Sequence, residues 1–562
     1  MKTEQKAQRS SFKIMAGLIV LLGSLAYIVV LAVINGSLGF LTAMGVTVFG
    51  SLGVVKALGE PVALSYGWII GLTIGCGLIR GGLRYFEQYS NHYIAFRLLA
   101  VLRNKIFGAL RRLCPAKLEN KQKGSIIAMI TADIETLEVF YAHTISPVCI
   151  AVLVSLTVFL GLGFGIHWYL ALVALAGYLV IGIVIPACSS KKLQESGTRY
   201  RAEFASFNAY FLDSIKGVRD IVLNNAGDRR VEEVNQRSGE LLAETKKMKH
   251  RTVRVGAVTE LCITLFVAAA IVVGVLLVSS GELSLGKMIV ATVAIFGSFG
   301  PVLAVSALPG NLSQTFAGGE RVLSLLEEKP AVEEVTDGKC IDFAELQVKD
   351  LAFSYDGQQK VLEDVQMHVQ KGEIVGIVGD SGCGKSTFLK LLLRFWQKDK
   401  GAIDYDGTDV DAVETASLLQ NVTMVSQSTY LFHDTIAENL RIAKPDATQS
   451  ELEEACRMAS VHDFIVSLPN GYETQVAALG DNLSAGEKQR IGLARAFLRG
   501  SSLILFDEPT SNVDSINEGM ILSAMKRQKD KKGIILVSHR ESTMAIADRV
   551  YRMQNGKMEP VK

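Results

Sequence analysis

No Cys-x-x-Cys pair occurs in the 562 residues, and the eight cysteines (76, 114, 149, 188, 262, 340, 383 and 456) are scattered. That argues against a disulfide framework or a zinc site, and the cysteines are expected to be small buried apolar residues. A cleavable signal peptide is not expected either. The polar start MKTEQKAQRSSFK leads into an apolar run far longer than a signal core, with no convincing cleavage site. Charge excess is also lacking. The formal net charge is +2, and no nucleic-acid partner is expected.

The most informative lack is local. From Ile14 to Val55 there is no charged residue. One bilayer crossing needs about 20 apolar residues. This run fits one long tilted helix, with a continuation broken near Asn35-Gly36 and Gly50–Gly53. Further apolar segments lie at about 67–83, 146–166, 168–187, 255–279 and 285–308, giving six expected spans. The loops near 56–66, 164–168 and 279–287 hold almost no Lys or Arg, whereas the N-terminus and the two long loops are basic. Both termini and both long loops are therefore expected on the cytoplasmic side of a cell membrane.

Proline is absent from Trp68 to Leu113. A helix of that length is roughly 70 Å long, against a hydrocarbon core of about 30 Å. The loops should thus be helical stalks, through 84–113 and 124–145 and through 192–250. Their tips are placed near Lys117–Gly124 and Ala209–Lys216. Glu260 falls within the fifth span and should face a cavity or the bundle interior.

Length and composition point to two dissimilar halves. At 562 residues the chain is too long for one domain, and 49% hydrophobic residues suit a membrane half joined to a water-exposed one. After about residue 340 polar residues return and strands alternate with helices. The boundaries are placed at 1–316 for a transmembrane domain, 317–340 for a linker and 341–562 for an ATPase domain.

Gly379-Asp380-Ser381-Gly382-Cys383-Gly384-Lys385-Ser386-Thr387 follows the apolar strand EIVGIVG and opens the helix FLKLLLRF. That is the setting of a phosphate-binding loop. Its backbone N–H groups and the helix N-terminus suit phosphate. Lys385 should reach the β- and γ-phosphates of ATP, and Ser386 should ligate Mg²⁺. Cys383 reads as a spectator whose modification would inhibit. LILFD ends in Asp507, suited to the Mg²⁺ side, and Glu508 follows, where it can polarise a water. His539 closes the strand GIILVSH, where it can touch the γ-phosphate.

With these motifs in order, residues 341–562 resemble the ATPase domain of ABC transporters, and residues 1–330 resemble the exporter-type membrane domain. The fold expected is an α-helical six-span transmembrane domain with long cytoplasmic stalks, followed by an α/β P-loop ATPase domain. The resemblance implies that Tyr355 stacks on adenine and that Gln427 senses γ-phosphate beside Mg²⁺. It also implies that Ser484 and Gly486 form the signature, that Asp514 ends a loop at the dimer interface, and that TQVAALGDN touches the stalk tips. One domain of each kind makes half a transporter, so a second half is implied, in a homodimer or a heterodimer, with the heterodimer favoured.

RYFEQYSNHYIAFR (84–97) and ADIETLEVFYAHTISP (132–147) resemble the CydC subunit of CydDC-type heterodimers, which are linked to thiol export and associate with haem. His92 is then either a helix-surface histidine or, with Arg84 and Arg97, a ligand to haem or to a small anionic substrate. Positions 84, 88 and 92 share a helix face. The signature itself reads LSAGE where the family form is LSGGQ. Ala485 keeps its N–H, and Glu487 brings a negative charge that suits a helix N-terminus.

Overall fold

The computed structural model describes residues 9–119, 123–306, 309–355, 357, 359–477, 480–510 and 515–561. They form two compact units. The first holds the described residues up to Arg112 and those from Lys123 to Glu328. The second holds Leu113–Glu119 and everything described from Lys329 onward.

The first unit is helical: α1 (Ser11–Val20), α2 (Ala26–Ala57), α3 (Tyr66–Leu113), α4 (Lys123–Ala128), α5 (Ile134–Phe140), α6 (Ser146–Gly165), α7 (Trp168–Leu179), α8 (Ile185–Lys216), α9 (Val218–Leu223), α10 (Gly227–Ser279), α11 (Leu285–Ser306) and α12 (Pro309–Leu326). Three π turns, Met129–Asp133, Tyr141–Ile145 and Val180–Val184, join helices without ending them. Among the described residues six helical runs are long and apolar enough to span a bilayer. Their core comes from α6, α7 and α11, through Val154, Ala174, Ile295 and Phe299. α10 turns Leu261, Leu265, Val272 and Leu276 outward, as a membrane helix does.

The first apolar run breaks elsewhere than expected. Gly23 adopts φ +47°, and a turn at 21–25 separates α1 from α2. α2 then runs unbroken through Asn35-Gly36, because Asn35 Nδ2 donates to Leu31 O (2.8 Å) inside the helix and Gly36 lets Ile150 pack close. The second stalk tip also differs. α8 continues to Lys216, Gly217 ends it, and the separate short helix is α9. At the first tip, 114–119 form turns, while 120–122 lie outside the described residues. Glu260 is exposed on α10 and not inside this chain's bundle. All eight cysteines are free. Cys456 is fully buried, but Cys114, Cys149, Cys188 and Cys340 are exposed, so the expected burial fails for these four.

The second unit carries two sheets. β1 (Glu345–Ser354), β2 (Lys360–Gln370), β4 (Lys400–Tyr405) and β5 (Thr408–Asp409) form an antiparallel sheet in the order β2-β1-β4-β5. The other sheet runs β10-β9-β3-β8-β7-β6, from β3 (Ile374–Val378), β6 (Val422–Val425), β7 (Leu503–Asp507), β8 (Gly533–Ser538), β9 (Arg549–Gln554) and β10 (Lys557–Pro560). It is parallel except for β10. Every residue of β7 and β8 is buried, as unbroken apolar runs in parallel sheets should be. The helices are α13 (Lys385–Leu392), α14 (Thr415–Asn421), α15 (Ile436–Arg441), α16 (Gln449–Met458), α17 (His462–Ser467), α18 (Ala485–Arg499) and α19 (Ser515–Gln528).

Candidate functional site

The loop 379–384 leaves β3 and enters α13 at the C-terminal edge of the parallel sheet, where open α/β sheets bind ligands. All three of its glycines are required, Gly382 for its φ of +83°. A Cβ on Gly379 would stand 2.3 Å from Met553 O, and Gly384, the N-cap of α13, has φ +111°. Lys385 is 5% exposed. Its Nζ donates to Gly379 O (2.8 Å) and Asp380 O (2.7 Å) and lies 3.9 Å from Cys383 Sγ. Ser381 and Gly382 are exposed at the loop's crest.

β7 delivers the two carboxylates. Ser386 Oγ donates to Asp507 Oδ1 at 2.9 Å. Burial holds the Asp507 carboxyl above its ordinary pKa, and the Ser386 bond pulls it partly back. A buried carboxylate beside a hydroxyl is a set of hard oxygen donors that suits Mg²⁺. Glu508 has φ +48°, a left-handed conformation costly for a residue with a Cβ. Its N–H donates to Val537 O (3.0 Å), which holds it at the strand end. There its carboxylate meets three side chains from other elements. Lys385 Nζ is 4.0 Å from Oε1. Gln427 Nε2 donates to Oε2 at 3.3 Å, and His539 Nδ1 is also 3.3 Å from Oε2. Residues 385, 427, 508 and 539 are therefore brought together from α13, the loop after β6, the end of β7 and the end of β8.

Tyr355 OH is 2.9 Å from Thr387 Oγ1. Its ring stands edge-on to Trp396, with centres 5.0 Å apart. Sequence reasoning missed Trp396, whose indole N–H is buried without a partner among the described residues. An aromatic just past α13 was its only signal. Ser484 and Gly486 lie apart, at the start of α18. Ser484 Oγ accepts from Glu487 N (3.3 Å), and Ser484 N donates to Glu487 Oε2 (2.8 Å). This capping box explains the acidic residue of LSAGE: it closes the helix end. A Cβ on Gly486 would meet Asn517 at 2.8 Å. Asp514 lies outside the described residues, as do Ala478 and Leu479 of TQVAALGDN.

In the first unit, His92 and Arg97 line an open recess of about 640 Å³ along α3 with Gln88, Tyr85, Tyr89 and Tyr93. Arg84 does not join them. The shared helix face held for Cα positions only, because the Arg84 guanidinium turns to Glu87, which is buried, and lies 5.8 Å from the Phe40 ring centre. Glu87 was not singled out, although a carboxylate three residues after an arginine was a signal. Arg321 of α12 holds Asp133 with two bonds of 2.6 Å, a pair no local pattern announces.

The comparisons with known proteins agree with this geometry. Residues 13–302 match the model for the ABC transporter transmembrane region, and residues 362–511 match the ABC transporter ATPase model. The chain is 44% identical over 98% of its length, and 100% of the relative's, to a Haemophilus influenzae protein named "Probable ABC transporter ATP-binding/permease protein". It is 30% identical over 87% of its length to an ATP-dependent lipid A-core flippase of Desulfotalea psychrophila, covering 85% of that protein. A solved bacterial Atm1-family ABC exporter with ATP bound superposes with a TM-score of 0.78 at 23% identity, covering 95% of this chain and 94% of that one.

Proposed function

The chain belongs to the ABC transporter family as an exporter-type half-transporter that couples ATP hydrolysis to transport, and we propose how its residues divide the work and what it carries. Lys385 binds the β- and γ-phosphates, and the loop from Gly379 to Thr387 cradles them with backbone N–H groups. Ser386 and Asp507 would hold Mg²⁺, with Gln427 close by. The ion supplies charge neutralisation on the phosphates. Glu508 orients and polarises the attacking water, and His539 steadies the γ-phosphate. The observation that carries this reading is the meeting of Lys385, Gln427 and His539 on Glu508. Tyr355 packs against adenine. Ser484, Gly486 and Asp514 serve the ATP held by a second half-transporter, so two chains close over two nucleotides. The ATPase domain is cytoplasmic, and the domains fall at 1–316 and 341–562 about a linker.

For the cargo, a small thiol such as cysteine or glutathione, or a haem-related molecule, is supported by the CydC-like stretches 84–97 and 132–147. The placement of His92 and Arg97 on one recess also supports it. In that reading the partner is a different chain. A second reading, export of an amphiphile, is favoured by an apolar cavity of about 370 Å³ between α6, α7 and α11, lined by Val152, Phe159, Leu179 and Val302 among others. The lipid A-core flippase relative supports it too. Reconstitution with and without the product of the neighbouring gene separates the two. ATP-dependent movement of thiols or haem out of the ATPase compartment supports the first. Stimulation by lipid alone, with no response to either, sinks it.

A further inference from the structure

His92 stood in the sequence as a single imidazole, and the fold provides a second. His143 lies on the π turn Tyr141–Ile145, and its ring centre is 5.8 Å from that of His92, with the ring planes 77° apart. Tyr141, Ala142 and Thr144 of that turn are buried, while His143 is exposed. A π turn re-aims side chains by inserting a residue into the helical repeat, and such turns recur at functional sites. The backbones behind both rings are pinned. Asn91 Oδ1, next to His92, accepts from buried Ser146 Oγ at 2.8 Å, and Ile94 and Ala95 are fully buried. Both rings thus project from packed helices and not from loops.

An ion about 2 Å from one nitrogen of each ring lies about 3 Å from each ring centre, so the centres can be at most about 6 Å apart. The observed separation meets that limit. Imidazole ligands suit Zn²⁺, Co²⁺, Ni²⁺ or Cu²⁺, while Mg²⁺ and Ca²⁺ prefer oxygen. Among the described residues no three His, Cys, Asp or Glu side chains gather into a closed cage. The pair therefore supplies two ligands and leaves the remaining positions to water or to a small molecule in the recess beside His92.

We propose that His92 and His143 form an open two-histidine site for a borderline divalent transition-metal ion in the membrane unit. The site shares His92 with the cargo reading but does not depend on it, because ion binding is measured without transport. The test is a Co²⁺ titration of the full chain in nanodiscs, with any affinity tag removed, followed by visible absorption and by thermal unfolding with saturating Zn²⁺. Wild type should bind about one Co²⁺ per chain and unfold at higher temperature with Zn²⁺. His92→Gln and His143→Gln should each weaken Co²⁺ binding by more than about tenfold and abolish the Zn²⁺ shift, since even outer-shell partners carry 10–100-fold. His250→Ala, on the stalk part of α10, should behave as wild type. If His143→Gln does not fold, His92→Gln reads the same site from an exposed face. Unchanged Co²⁺ affinity in the His92→Gln variant or in the double variant overturns the proposal, and so does an equal loss in His250→Ala.

Discussion

Glu508 in the ATPase unit and Glu87 in the membrane unit are both carboxylates largely withdrawn from solvent, with side chains 17% and 4% exposed. Their partners differ in kind. Glu508 is approached by Lys385, Gln427 and His539 from three other elements, at 3.3–4.0 Å. Glu87 is held by Arg84, one turn away on its own helix. Loose contacts from several directions leave a carboxylate available to a reacting water, and catalytic hydrogen bonds are often long until substrate is bound. A tight local pair neutralises a carboxylate that is buried among packed helices. On the proposed reading the same side chain is a reagent in one unit and a structural element in the other.

The largest expected effect breaks the Glu508 side of this comparison. Glu508→Gln should leave ATP binding intact and lower phosphate release by about 100-fold or more. Turnover near wild type would place the chemistry at a partner's site. On the Glu87 side the two partners should behave asymmetrically. Arg84→Ala strands a buried charge and should cost about 3 kcal/mol, whereas Glu87→Gln leaves a half-exposed arginine and should cost less than about 1 kcal/mol. Equal losses in thermal unfolding would show that Arg84, too, is dehydrated. A smaller effect is expected at the long-range pair. Arg321→Ala removes two bonds to Asp133 but starts from a half-exposed guanidinium, so about 2 kcal/mol is expected. An unchanged melting temperature would mean that this pair does not hold α12 in place. The smallest concerns the capping box. Glu487→Gln should shift stability by less than about 0.5 kcal/mol, because Gln accepts the same bond. Glu487→Ala should cost about 1 kcal/mol, and a larger loss for Gln would give the carboxylate charge a role of its own.

Much of the ATPase site was legible because its parts are contiguous. The stretch from Gly379 to Thr387 carries strand, turn and helix start within one window, and Asp507-Glu508 ends an unbroken apolar run. The six spans were legible from the lack of charge. What escaped depends on contacts between distant residues or on one backbone angle. Trp396 gains meaning only where Tyr355 folds over it. Gly23, one of several glycines in the first apolar run, is the one that adopts a positive φ and breaks the helix. The Glu487 charge suited a helix N-terminus in the sequence, but its bond to Ser484 N is visible only in the fold.

The sequence by itself determined the class of the protein: charge-poor apolar spans, a phosphate loop, and carboxylates at strand ends. Desolvation and backbone hydrogen bonding impose those patterns over short stretches, so they survive in one dimension. The tertiary structure decided which polar groups meet. It set Gln427 and His539 on Glu508, turned Arg84 away from His92, and brought His143 to it across more than 50 residues. Such pairings depend on helix packing and sheet order, which no local window contains.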